Sequence, residues 1–252
     1  MPGARRDSVS WVDSAGDLWL FGGVYLSYRT GRLNDLWRYS QNSGQWTWVS
    51  GSNTFNANGV YGTKGIAAAG NVPGARAFSV SWIDTAGDLW LFGGLVHLQG
   101  LAGGLANDLW RYSPGSREWT WVSGSNTFDA GGVYGTQGIA AADNVPGARD
   151  LSVSWIDSAG DLWLFGGVSG WSYLNDLWHF SPSSGEWTWV SGSTTGNANG
   201  VYGALGTPSG IPGARGDAVS WIDSAGHLWL FGGYGYDSAG TVAGGLNDLW
   251  MY

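Results

Sequence analysis

The stretch "DSAGDLWLFGG", residues 13–23, decides how the chain is read, because nearly the same eleven residues return from Asp84, Asp157 and Asp223. The apolar run Leu18–Phe21 is too short and too closely bounded by glycine for a helix, so it reads as a strand. The Asp-Ser-Ala-Gly before it supplies a residue able to take positive φ, as a tight hairpin turn demands. The run has no polar alternation, which predicts a strand covered on both faces. A hairpin written four times calls for a repeat count before a domain count.

Aligned on the pairs Gly22-Gly23, Gly93-Gly94, Gly166-Gly167 and Gly232-Gly233, the units recur every 66 to 73 residues. Each opens on Pro-Gly-Ala-Arg, with Arg5, Arg76, Arg149 and Arg215, and runs through a β-rich segment such as "SVSW" into the hairpin. After the glycine pair come a loop of changing length, an "NDLW" segment with Asp35, Asp108, Asp176 or Asp248, a polar turn, and "WTWVSG". The alternation of "WTWV" sets Trp46 and Trp48 on one face, with Thr47 and Val49 on the other. Four strands per unit follow. The last unit stops at "NDLWMY", which makes fifteen strands rather than sixteen and leaves a strand edge from Leu249 to Tyr252.

One such sheet cannot bury both its faces, whereas like sheets packed face to face bury each other. The expected fold is therefore all-β, a β-propeller of four-stranded antiparallel blades, four per chain, the last lacking its outer strand. It forms a single domain over residues 1–252, with blades near 1–51, 72–124, 145–192 and 211–252. The 19 tryptophans supply much of the apolar surface, each burying roughly 200 Å² when enclosed.

An apolar run ending in a glycine pair, an aromatic after it at Tyr39, and a tryptophan near the end of the unit at Trp46 together resemble the kelch repeat. The resemblance covers essentially the whole chain in four copies. It implies that the first strand of each unit is innermost and the "WTWV" strand outermost. The units exceed the usual kelch spacing of about 50 residues. In this they are similar to long bacterial-type units of the galactose-oxidase-like central domain superfamily, with the excess after "WTWVSG". Kelch rings generally have more than four blades. Three outcomes stay open: a small closed ring, two chains joined into an eight-bladed ring, or an excerpt of a longer array.

Charged residues make up only 12% and the net charge is −8, so no basic stripe awaits a nucleic acid or an anionic membrane surface. No apolar run of about 18 residues offers a membrane span. The absence of cysteine removes disulfide and thiolate chemistry. It also removes the copper site with a cysteine-linked tyrosine that the likeness to galactose oxidase would imply. The start "MPGARRDS" lacks the parts of a signal peptide; localisation stays open, excision from a secreted or surface bacterial protein included. His97, His179 and His227 fall at three different phases of the repeat, so neither a metal cluster nor a shared base is expected, and no cofactor. The segments "NTFNANG", "NTFDAGG" and "TTGNANG" lack the clustered carboxylates of a calcium site.

Binding residues are expected on long loops held by a rigid scaffold. The loop after "WTWVSG" is nearly copied: residues 52–72 and 125–145 agree at 17 of 21 positions. It therefore reads as structure, with Val60, Tyr61 and Gly62 tucking it under its own blade. The loop after the glycine pair differs in every unit and holds Tyr25, Tyr28, Arg29, His97, Trp171, Tyr173, Tyr234, Tyr236 and Asp237. Aromatic faces with a few polar groups suit the apolar face of a sugar or an extended peptide. The expected function is a non-enzymatic binding scaffold for a protein or glycan, with a second copy of the chain as another partner. The alternatives are a sugar isomerase or lyase with an acid and base such as Asp237 and His97, and a purely structural or engineered repeat module. The Arg and Asp present once per unit read as a structural charge-assisted pair, and Asp13, Asp84, Asp157 and Asp223 as turn formers.

Overall fold

The computed structural model describes residues 1–25, 31–98, 101–204, 209–240 and 243–252, and among them every regular element is a β-strand. The chain divides into two compact units, Met1–Ala130 and Gly131–Tyr252. Within the first unit, the first sheet runs in the order Val9–Val12, Leu18–Phe21, Leu36–Ser40 and Gln45–Ser50, antiparallel throughout. The second sheet repeats this with Val80–Ile83, Leu89–Leu98, Leu101–Ser113 and Glu118–Ser123. Within the second unit, the third sheet comprises Val153–Ile156, Leu162–Ser169, Ser172–Ser181 and Glu186–Ser191. The fourth has three strands among the described residues: Val219–Ile222, Leu228–Phe231 and Leu249–Met251.

The hairpin forms where the sequence places it, and its aspartate does more than turn the chain. Asp13 Oδ1 accepts the amides of Ala15 and Asp17, both at 3.0 Å, while Oδ2 accepts the Trp19 indole N–H at 2.9 Å. One carboxylate thus closes the turn and satisfies the first tryptophan of the next strand, and Asp84, Asp157 and Asp223 do the same. The glycine pair ends that strand with φ of +67° at Gly22 and +95° at Gly23. A β-carbon on Gly22 would lie 2.8 Å from the Arg76 carbonyl oxygen, and one on Gly23 would lie 2.7 Å from that of Arg6. Both the backbone conformation and the space require glycine.

Arg and Asp of each unit meet at the root of the sheet. Arg76 holds Asp108 through two bonds of 2.7 Å, with both side chains about fully buried at 1% and 0% exposure. Its Nε and Nη1 also donate to the Gly74 and Gly93 carbonyls, each at 3.0 Å, and the Trp110 indole donates to Asp108 at 2.7 Å. Arg5 with Asp35, Arg149 with Asp176 and Arg215 with Asp248 repeat the arrangement. Burial works against ionisation of Asp108 and Asp176, but the guanidinium charge and the donated bonds hold both carboxyls below their ordinary value. Against a smaller burial, the bonds from Arg215, Tyr202 and Trp250 hold Asp248 down at about 2.

The long copied loops correct the expectation that Val60, Tyr61 and Gly62 tuck each under its own sheet: from the Val-Tyr-Gly onward each lies on the sheet that follows it. Tyr61 donates to Asp108 at 2.7 Å and Tyr134 to Asp176 at 2.7 Å, and Tyr202 makes the same bond to Asp248. The Tyr61 ring meets Trp110 and Trp121 at 4.9 and 5.1 Å. Beyond it, Gly65 N donates to the Trp121 carbonyl at 2.8 Å and Asn71 Nδ2 to the Trp119 carbonyl at 3.1 Å. Gly138 and Asn144 bond Trp189 and Trp187 in the third sheet in the same way. The loop therefore occupies backbone acceptors on the outer edge that would otherwise be open to pairing. None of the described loop residues bonds the outer strand of the first sheet, where Trp48 is 47% exposed.

The expected double coverage of "LWLF" holds fully only in the second sheet, where Leu89, Trp90, Leu91 and Phe92 are all buried. In the first sheet Leu18 is 37% exposed and in the fourth Phe231 is 42% exposed. The residues are alike, and their neighbours differ.

Candidate functional site

The glycine pairs send the chain into the variable loops, and in the second unit these loops bring aromatic rings together. In the third sheet, strands Leu162–Ser169 and Ser172–Ser181 join through a two-residue turn, Gly170-Trp171, with φ of +60° at the glycine. Trp171 stands at its tip, 99% exposed. Two residues on, Tyr173 meets Tyr234 at 5.9 Å and Tyr236 at 6.2 Å between ring centroids. Tyr234 lies in the short strand Tyr234–Gly235, which pairs with Arg215–Gly216 and Gly244–Gly245, and it is 49% exposed.

The backbone under this group is fixed. Asn197, with φ of +61°, accepts the Tyr173 amide on its side chain at 2.9 Å and donates its own amide to the Tyr173 carbonyl at 2.7 Å. Asn56 makes the same double contact with Arg32, and Asp129 with Leu105. These are residues of the three segments read above as lacking a calcium site, and their oxygens are engaged with the neighbouring hairpin. Burial, then the neighbouring Tyr234 and Tyr236, raise the pKa of the Tyr173 hydroxyl. The group thus offers three phenol hydroxyls beside apolar ring faces.

The other candidates divide. Tyr25 stacks on Phe55 in the first unit, with centroids 5.1 Å apart and planes inclined at 28°. Tyr28 and Arg29 lie outside the described residues. His97 is half-buried, and its backbone amide donates to the Ala75 carbonyl at 3.1 Å. Asp237 is exposed, and its Oδ1 accepts the amides of Ala239 and Gly240 at 2.8 and 2.9 Å, the geometry of a turn former.

Sequence reasoning passed over one cluster. Asp157, Asp161 and His179 bring oxygen and nitrogen atoms within 4.8 Å of one another in the third sheet. Each is engaged: Asp157 by its turn amides and the Trp163 indole, and Asp161 by His179 at 2.9 Å and Ser181 at 2.9 Å. The same positions hold Asp17 with Arg38 and Asp88 with Arg111 in the first unit. A cross-strand carboxylate bonded to a side-chain nitrogen is common to these three sheets, and His179 stands where the first two have arginine, the fourth having Met251 there.

Antiparallel four-stranded sheets with a glycine pair after the second strand, a buried Arg–Asp pair and tryptophans on the outer strand are blades of the kind that build kelch β-propellers. Residues 158–191, the hairpin turn and last three strands of the third sheet, match the Kelch motif family. The chain is also similar to the human "Multiple epidermal growth factor-like domains protein 8", 27% identical over 218 residues. That alignment takes in 86% of this chain and 6% of the relative, so the chain spans a small fraction of the protein it resembles. The Kelch motif match supports a kelch-type repeat in the third sheet.

Proposed function

We propose that the chain is a non-enzymatic interaction module that binds a protein or glycan through the aromatic surface of Trp171, Tyr173, Tyr234 and Tyr236. The observation that carries this reading is the grouping of three tyrosine rings beside a 99% exposed tryptophan on a two-residue turn. A large exposed aromatic on a rigid hairpin gives contact area at little cost in conformational entropy, and the tyrosine hydroxyls give directional bonds. The Kelch motif match supports an interaction scaffold. The enzymatic alternative through Asp237 loses support from the turn amides that its carboxylate accepts.

The test is capture by the full chain on a glycan array and a displayed-peptide library. The Trp171→Ala and Tyr234→Ala variants are expected to weaken the selected ligands at least about tenfold, with the melting temperature unchanged. Binding that survives both substitutions overturns the assignment.

A specific observation favours a second reading, the pairing of two chains into a ring of eight sheets. Val219, Trp221 and Phe231 of the fourth sheet are 57, 44 and 42% exposed, whereas Val80, Trp82 and Phe92 at the same positions of the second are 8, 3 and 1% exposed. Light scattering that gives twice 26.7 kDa supports this assembly, and 26.7 kDa at every concentration overturns it.

A further inference from the structure

We infer that the aromatic surface of Trp171, Tyr173, Tyr234 and Tyr236 takes a cationic side chain, and that its partner is an extended, lysine- or arginine-bearing segment of another protein. The inference rests on the binding role proposed above and adds the charge of the ligand. Its starting point is how charge divides along the chain. Residues 1–130 hold nine Lys or Arg and nine Asp or Glu, whereas residues 131–252 hold two arginines, no lysine and ten Asp or Glu. The whole net charge of −8 thus belongs to the second unit. Its two arginines, Arg149 and Arg215, are enclosed in ion pairs with side chains 1% and 0% exposed. No lysine or arginine of this unit is left at its surface, so the field there is acidic.

The first unit shows how this chain treats ring faces when it has cations to place on them. There Arg38 lies over the Trp19 ring at 5.4 Å, Arg111 over Trp90 at 5.7 Å and Lys64 over Trp121 at 4.5 Å. All three distances are within cation–π range. In the third repeat His179 takes the place of Arg38 and Arg111, and Gln137 in its loop takes the place of Lys64. The second unit therefore has no permanent cation of its own to offer its exposed rings.

The tyrosines are spaced for such a guest. The Tyr234 and Tyr236 centroids lie 5.9 and 6.2 Å from that of Tyr173, with planes inclined to it at 46° and 68°. A cation is drawn to a ring within about 6 Å of its centroid, so at this spacing one charge can reach two rings. The stem of a lysine or arginine can lie along the exposed Trp171 while its head meets the tyrosines. Two exposed carboxylates adjoin the group: Asp237 follows Tyr236, and Asp217 follows Gly216, the register partner of Tyr234. The turn amides occupy Asp237 Oδ1, and Oδ2 accepts no hydrogen bond among the described residues. Like-charge repulsion disfavours acidic sugars and acidic peptides at this surface, which leaves a basic segment as its complement.

The test titrates the full chain into a short peptide of alternating lysine and glycine that carries a neutral dye, read by fluorescence anisotropy. Peptides with glutamine or glutamate in place of lysine run beside it. The lysine peptide is expected to bind saturably, at least about tenfold more tightly than the glutamine peptide, and the glutamate peptide not at all. Tyr234→Leu and Trp171→Leu leave every charge in place, and each should weaken the lysine peptide at least about threefold. Should Tyr234→Leu misfold, Trp171→Leu decides alone, since a side chain 99% exposed is not needed by the fold. Equal binding of the glutamine peptide, or a lysine peptide indifferent to these substitutions, overturns the inference. If a ligand selected from the glycan array or peptide library binds through Trp171 and Tyr234 while the lysine peptide does not bind, the charge assignment fails and the site stands. If nothing binds, both fail.

Discussion

Asp108 accepts two bonds from Arg76 and one each from Trp110 and Tyr61, so its loss would leave a fully buried guanidinium without a counter-charge. Breaking a buried pair from one side costs about 3–5 kcal/mol, and Asp108→Ala is expected to lower the urea-unfolding free energy by that amount. Tyr61→Phe removes one bond to the same charge and should cost about 2 kcal/mol. Equal, small effects from both substitutions would contradict a shared buried cluster. The Arg and Asp were legible in the sequence because each recurs once per unit at a fixed place. The tyrosine's role was not, since it lies 47 residues before the carboxylate it meets and the repeated "VYG" carries no direction. Nor could the sequence bring Tyr173 to Tyr234, because the loops that hold them differ in every unit.

At the level of elements, the hairpins and strand order followed from glycine placement and apolar runs, which are local properties. Edge protection was not local. The outer strands of the second and third sheets are capped by Asn71 and Asn144, both about fully buried at 4% and 3% exposure. Asn144→Ala is expected to destabilise the third sheet by about 1–3 kcal/mol and to speed amide exchange at Gly138 and Ala141, which bond the Trp189 and Trp187 carbonyls. Exchange at those amides unchanged from the parent would rule out the cap. The first sheet has no such loop among its described bonds, so its outer strand should exchange faster than that of the second.

Across the molecule, the lowered carboxyls at Asp108, Asp176 and Asp248 act in both units. Each binds a proton more weakly in the folded state than in the unfolded chain, whose carboxyls titrate near about 4. The stability they contribute is therefore complete above about pH 4 and is lost as pH falls toward the folded value of about 2 at Asp248. Melting temperatures recorded from pH 7 downward should stay level until about pH 4 and then fall, with the fall blunted in Asp248→Asn; a decline that begins near neutrality would place the sensitivity elsewhere. The same scale exposes the limit of reading from sequence. "VSWI" is identical at residues 80–83 and 219–222, yet Trp82 is 3% and Trp221 44% exposed. Burial at these positions belongs to whatever packs on the sheet, and a repeated string cannot encode that difference.

Because the later part of each copied loop bonds the sheet after it, the sequence repeat and the bonded unit are out of phase. The repeat lists a sheet with its trailing loop, while the bonds tie each loop's tyrosine to the sheet that follows. An excision that joins Gly59 directly to Val133 respects both frames, since the spliced loop regains its full sequence and still hands its tyrosine to the next aspartate in line. A cut made at the sheet boundary would not. Gain or loss of one whole unit in this phase should therefore leave every remaining tyrosine–aspartate bond in place.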